Sequence, residues 1–377
     1  MFYISKITPF FFILGIIDLL VGIFLKITHH DYIYYGLVFV FGFIASIIIG
    51  AMYQIIPNSQ QEKLPYEYFS YINFSFAFLT SLFLILQNYK IASLVFFLLT
   101  VFFSIHMSLI VRNVKPITVR FLIASLFYMV LSSAVFLASS YGEISKQAAI
   151  HTFTIGTMIN AVFGVEFAWI PMFYMQTADF KKGNIVFILN QLITIFALIS
   201  FGFFSYNMIL PVVLSEIAVS LLFISLMIST IKKGKSLIGI PYTVKFFLAG
   251  LFFLVGGLVI AMFITILKNP MLIDLHVSFM VLGFGVFTIT GGMLHLTPRI
   301  LWNMVYIKKA QQGKQVPQVN MVIPKNKAET FFRLLMICFI AGIFLEGIGF
   351  LYGWTAYFIT LIGYYLYFSF KLFKFLV

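Results

Sequence analysis

The sequence predicts an all-α integral membrane protein of twelve transmembrane helices, arranged as three four-helix pseudo-repeats. Three observations predict it. The first is composition: of 377 residues, 62% are hydrophobic and 9% charged, and the mean hydropathy is +1.08. Soluble domains carry about 25% charged residues, so a soluble globule is excluded. Only helices and closed barrels satisfy the backbone in lipid. The apolar residues fall in continuous runs near the ~20 residues that cross the hydrocarbon core, whereas a barrel would alternate polar and apolar. The second observation is a repeat. Gly42–Gly50–Pro57, Gly156–Gly164–Pro171 and Gly283–Gly291–Pro298 each place a second Gly eight residues after the first and a Pro seven further on. The third is charge placement. With the amino terminus inside, 20 of the 24 basic residues fall on the inner side, and Lys26, Lys90, Lys146 and Lys268 on the outer. The positive-inside rule then puts both termini of a multi-pass cell-membrane protein in the cytoplasm.

The apolar runs give spans at roughly 7–27, 32–56, 66–87, 90–111, 117–139, 147–174, 184–205, 208–231, 242–267, 271–297, 329–352 and 354–375. They form a single membrane domain, 1–377, with repeats at about 1–115, 116–235 and 236–377. Span 1 carries Asp18 and no small-residue cleavage site, so it is expected to be a retained helix rather than a signal peptide. Spans 2, 6 and 10 carry the glycine motif and run from outside to inside. Glycines at i and i+8 lie on nearly one helix face, where a neighbouring helix or a flat ligand can approach closely. The proline is expected to end the apolar run at the inner surface. Span 11 holds Cys338, the only cysteine, which excludes a disulfide framework and a Cys metal site. The polar stretch 303–328 reads as a cytoplasmic loop. The net charge of +13 resides in inner loops facing anionic lipid, so nucleic acid is not an expected partner.

Topology sorts the six histidines by depth. His151 and His276 lie four to five residues into spans 6 and 10, roughly 6–8 Å below the outer helix ends. His29 and His30 are in the first outer loop. His106 and His295 lie near the inner ends of spans 4 and 10 and form a candidate second, inner site. An imidazole in lipid needs a partner: a neighbouring helix, a proton path, haem or copper. Aligned by their glycines, the repeats match Tyr35, Ala149 and His276 at one position, and Leu37, His151 and Ser278 two residues on. Four residues after the second Gly stand Gln54, Ala168 and His295. Acids within spans are Asp18, Glu166, Glu216, Asp274 and Glu346. Glu166, on a motif helix, is a candidate proton relay, with structural pairing as the alternative. There is no Walker loop, HExxH or serine-nucleophile context.

The segment His276-Val-Ser-Phe-Met-Val-Leu-Gly283, continuing to Gly291-Gly292-Met-Leu-His295-Leu-Thr-Pro298, resembles the tenth helix of subunit I of the haem–copper oxidase superfamily. Twelve helices in three arcs of four, with ligands on helices 2, 6 and 10, are also similar. Pro9-Phe-Phe-Phe and Gly42-Phe-Ile-Ala, with Gly50 and Pro57-Asn58, resemble the NnrS family, haem–copper membrane proteins linked to nitric-oxide stress. The resemblance covers the whole chain in architecture and is residue-specific only on the motif helices. It implies an oxidase subunit I-like fold in which His276 is the proximal ligand of a haem. Ser278 and Tyr35 stand where the superfamily places low-spin haem ligands. His151 matches a copper ligand of helix 6 loosely. The His pair of helix 7 is replaced by Asn190 and Gln191, so the usual three-histidine copper site cannot be built.

The expected function is therefore a membrane protein with one haem b near the outer side, held by His276. His151 is the sixth ligand or holds a metal, copper included, on the distal face. Two histidine ligands favour electron transfer. One favours binding or reduction of nitric oxide or oxygen by an oxidoreductase. The expected partners are lipid, other respiratory-complex subunits and a cytochrome or quinol donor. The alternatives are a cofactor-free subunit that anchors a respiratory complex, and a transporter.

Overall fold

A computed structural model of the protein describes residues 3–203, 205–234, 240–319, 323–350 and 352–376. Among these residues all regular structure is helical. The helices are α1 (Thr8–Ile27), α2 (Tyr32–Gln60), α3 (Tyr68–Ile85), α4 (Tyr89–Ser108), α5 (Ile117–Ser140), α6 (Lys146–Phe173), α7 (Phe180–Gly202), α8 (Tyr206–Lys233), α9 (Tyr242–Leu267), α10 (Pro270–Gln311), α11 (Lys325–Gly347) and α12 (Thr355–Leu376). The first eleven are each long and apolar enough to cross a bilayer, and α12 adds 22 residues. The chain is a multi-pass helical membrane protein whose outward apolar side chains meet lipid.

Burial separates the helices into two sets. The apolar windows of α2 and α6 are 94% and 83% buried, against 28–56% for the other nine, which places these two at the centre. The amino-terminal end of α10, which the sequence reading assigns to the outer side, packs on α2, and α1 packs on α12, so the first and last helices meet.

The glycine motif is a packing device. A Cβ on Gly50, Gly164 or Gly291 would lie 2.6, 2.9 or 2.8 Å from the Cβ of Phe11, Phe121 or Phe246. A Cβ on Gly42, Gly156 or Gly283 would meet Asp18, Tyr128 or Phe253 at 2.9, 2.7 or 2.8 Å. In each case the two partners are seven residues apart on the preceding helix, α1, α5 or α9. Heptad-spaced side chains thus seat against a Gly–Gly stripe three times over. The stripe receives a helix and leaves no room for a flat ligand there.

Sequence periodicity did not anticipate two features. Helices α2, α6 and α10 each contain a π-helical stretch, at Val38–Ile44, Thr152–Ile159 and Ser278–Gly285, enclosing the first glycine of the motif. Such wide turns are rare and cluster at functional sites. The motif prolines also do not end their helices. The chain stays helical through Pro57 to Gln60, through Pro171 to Phe173, and through Pro298 to Gln311. Pro298 removes the donor to the Leu294 carbonyl, and the helix continues beyond it all the same, as membrane helices tolerate. Just past it, Arg299 donates to the His295 carbonyl at 2.8 Å and Asn303 to the Arg299 carbonyl at 2.7 Å, neither of which is the carbonyl that the proline leaves. The expected loop 303–328 accordingly shrinks to 312–324, of which 320–322 lie outside the described residues.

Candidate functional site

The outer ends of α6 and α10 are fixed by local chemistry. Ser145 accepts from the Ala148 N–H at 3.1 Å and donates to the Phe201 carbonyl at 2.9 Å, capping α6 and drawing in the end of α7. Phe201 then stacks on the His151 ring, with centroids 3.7 Å apart and planes 9° apart. The start of α10 is set by Asn269, which accepts from the Met271 N–H at 3.0 Å.

His151 and His276 come together. Their ring centroids are 6.4 Å apart and their planes 12° apart. His151 Nδ1 donates to the Gln147 carbonyl, and His276 Nδ1 to the Gly257 carbonyl of α9, both at 2.9 Å. A carbonyl can only accept, so the proton of each neutral ring is on Nδ1 and Nε2 keeps its lone pair. Among the described residues neither Nε2 makes a hydrogen bond. A backbone carbonyl that fixes one imidazole nitrogen and presents the other is the usual support of a metal-ligating histidine.

Both rings line a cavity between α2, α6, α8, α9 and α10, with almost wholly apolar walls. The donors fit an axial pair for haem iron. Metal–nitrogen bonds of about 2.0–2.1 Å, plus about 1.1 Å from nitrogen to ring centre, put two imidazoles on one metal about 6 Å apart between centroids. The volume fits less well. The cavity measures about 180 Å³, so a porphyrin would require the walls to open, and the flexible Met158 and Met280 among them are the side chains best able to move. Among the described residues no three His, Cys, Asp or Glu converge as a metal site.

The positions matched to low-spin haem ligands are engaged elsewhere. Tyr35 donates to the Asp274 carboxylate. Ser278 donates to Glu346 Oε2 at 3.0 Å and is also 2.9 Å from the Asp274 carbonyl. Glu346 pairs with Lys26 at 2.6 Å and accepts from the Trp354 indole at 3.1 Å. This polar knot ties α1, α2, α10 and α11 to the start of α12. Gln54 holds the segment before α1, accepting from the Ser5 N–H at 2.9 Å and donating to the Tyr3 carbonyl at 2.7 Å.

His106 and His295 are not brought together. His106 Nε2 donates to the Pro65 carbonyl at 2.8 Å, and its Nδ1 lies 3.4 Å from the Tyr53 hydroxyl. His295 Nδ1 accepts from Arg299 at 2.9 Å, and its ring packs on Trp169 and Phe173. His29 and His30 are exposed.

Glu166 is fully buried, and neither carboxylate oxygen has a hydrogen-bond partner. It lines a second apolar cavity, of about 80 Å³, deeper between α2, α6 and α10, together with Thr288, whose hydroxyl is also unpartnered. The two cavities share no lining residue. Ile44 and Met158 close over Gly285 between them. Glu216 of α8, which the sequence marked only as an acid within a span, lines the outer cavity. Its position is set by the face that α8 turns inward, and a lone acid in a long apolar run was the available signal.

Fold and site define a class: a polytopic helical membrane protein whose helices α6 and α10 present two imidazoles to a cavity near one end. No family model matches the chain. A protein of Aquifex aeolicus (strain VF5), described as uncharacterized, is 39% identical over 315 residues, covering 83% of each chain. The chain belongs to the same family as that protein.

Proposed function

We propose that the protein is a membrane haem protein of oxidase subunit I-like fold, built from three four-helix repeats with both termini in the cytoplasm. His276 and His151 are the residues that would hold one haem b near the outer side. The observation that carries this reading is the near-parallel imidazole pair, each ring anchored through Nδ1 to a backbone carbonyl and bare at Nε2. Bound haem would supply one-electron redox chemistry. His276, braced on α9, and His151, braced on its own helix and on Phe201, would be the two protein groups that hold it. Apolar walls keep water from the site. Two imidazoles favour electron transfer from a cytochrome or quinol donor over nitric oxide or oxygen chemistry. Glu166 is placed for proton uptake from the inner half. Gas chemistry, with copper near His151, is the weaker form, because no third ligand stands beside that ring among the described residues.

The competing reading, a cofactor-free subunit of a respiratory complex or a transporter, draws on the modest cavity volume. The absorption spectrum of protein purified from haem-replete cells decides between them. A Soret band with low-spin features, absent in His276→Ala, supports the haem reading. A colourless protein that is well folded overturns it. Metal analysis reports copper separately.

A further inference from the structure

Helices α6, α7 and α8 pack on one another. These helices carry four polar side chains of 0–1% exposure: Thr157, Asn190, Glu216 and Ser220. The Thr157 and Ser220 hydroxyls, both amide atoms of Asn190 and both carboxylate oxygens of Glu216 have no hydrogen-bond partner. They share a depth. Thr157 lies 11 residues from the outer end of α6, Asn190 12 from that of α7, and Glu216 and Ser220 10 and 14 from that of α8. At 1.5 Å per residue this is a slab roughly 15–21 Å below the outer ends. Glu216 and Ser220, four apart, share one face of α8.

The neighbouring polar groups show that bonding is available where geometry allows. Gln191 donates to Asn160 at 2.9 Å, Asn160 to the Gly156 carbonyl at 2.6 Å, and Tyr128 to the Gln191 carbonyl at 3.3 Å. Six buried polar atoms at one depth of three adjacent helices thus have no partner among the described residues. Buried polar groups in a membrane must be satisfied. Water makes 2–4 hydrogen bonds in such sites and serves donors and acceptors together. A bare cation would serve the oxygens and leave the Asn190 N–H groups without an acceptor.

We propose that Thr157, Asn190, Glu216 and Ser220 hold a cluster of bound water around a protonated Glu216, and that this cluster is a proton-exchange site. Because Glu216 also lines the outer cavity, the site delivers protons to that cavity and removes them from it. The other titratable groups lining the cavity are His151 on α6, His276 on α10, Tyr32 on α2 and Tyr206 on α8; α7 and α9 contribute none. The proposal does not depend on haem.

Infrared spectroscopy of the full-length protein in lipid nanodiscs, moved from H2O to D2O, tests it. A protonated-carboxyl band that shifts in D2O is expected in the wild type and in Glu166→Gln, and is expected to be lost in Glu216→Gln. Ser220→Ala and Asn190→Leu are expected to slow deuteration of that band at least tenfold. A spectrum in which Glu216→Gln removes no protonated-carboxyl band overturns the proposal. So does unchanged deuteration in Ser220→Ala, the milder variant, or a thermal stabilisation by sodium over choline that Glu216→Gln abolishes.

Discussion

Two pairs of histidines differ in their surroundings: His151 and His276 near the starts of α6 and α10 are brought together beside a cavity, and His106 of α4 and His295 farther along α10 are not. His151 and His276 give Nδ1 to backbone carbonyls and keep Nε2 bare beside a cavity. His106 spends both nitrogens within the fold, and His295 takes a proton donor, Arg299, on the nitrogen that a ligand would leave to a carbonyl. Same residue type, same helices in part, different outcome: the hydrogen-bond partner decides whether an imidazole is a ligand or a strut.

The sharpest way to break this comparison is to remove His276. Alanine there is expected to lower haem per protein at least tenfold, read from the Soret band, while His106→Ala and His295→Ala keep it. A loss of colour in the inner variants equal to that in His276→Ala would erase the contrast. Replacing His151 is expected to do less. Haem stays on His276, and the spectrum moves from six-coordinate low spin to five-coordinate, with a carbon monoxide band that the wild type lacks. Smaller again is the effect of the inner struts on stability. Leucine at position 106 leaves the Pro65 carbonyl unpaired, and leucine at 295 removes the imidazole acceptor of Arg299 and leaves it only the residue-295 carbonyl. Each is expected to cost about 1–3 kcal/mol in detergent unfolding with the spectrum unchanged. The finest contrast lies in the glycines. Gly164→Ala must displace Phe121 and is expected to cost about 1–3 kcal/mol. Gly36→Ala, whose nearest neighbour would be Ile150 at 3.9 Å, is expected to be near neutral by the same thermal assay.

Much of this was legible in the sequence, for a physical reason. Bilayer thickness imposes the length of each apolar run, so eleven of the twelve helices stand within about five residues of the predicted spans, while α10 runs on to Gln311, well past its expected end at 297. Close packing imposes glycine, so the recurrent Gly–Gly spacing marked where α1, α5 and α9 seat. What escaped notice depends on partners far along the chain. Lys26 and Glu346 are 320 positions apart, and Tyr35 and Asp274 are 239 apart, so no local pattern announces the knot they form. Glu216 was visible as an acid in lipid, but its cavity exists only once α8 is rotated against α6 and α10. The continuation of α10 past Pro298 is not announced by spacing either, because a membrane helix tolerates a proline that would end a soluble one.

The wide turns in α2, α6 and α10 have an evolutionary corollary. Each takes up more chain per turn than an α-helix does, so it acts as a phase joint with a spare residue inside an otherwise uniform rod. Deleting one residue within Val38–Ile44 would leave a rod that still reaches across the bilayer. With the spare residue gone the segment closes into an α-helix and the two sides keep nearly the same phase, so Gly50 still faces Phe11. Single-residue deletions at these three joints are thus changes of length that such a protein could absorb while its packing is kept.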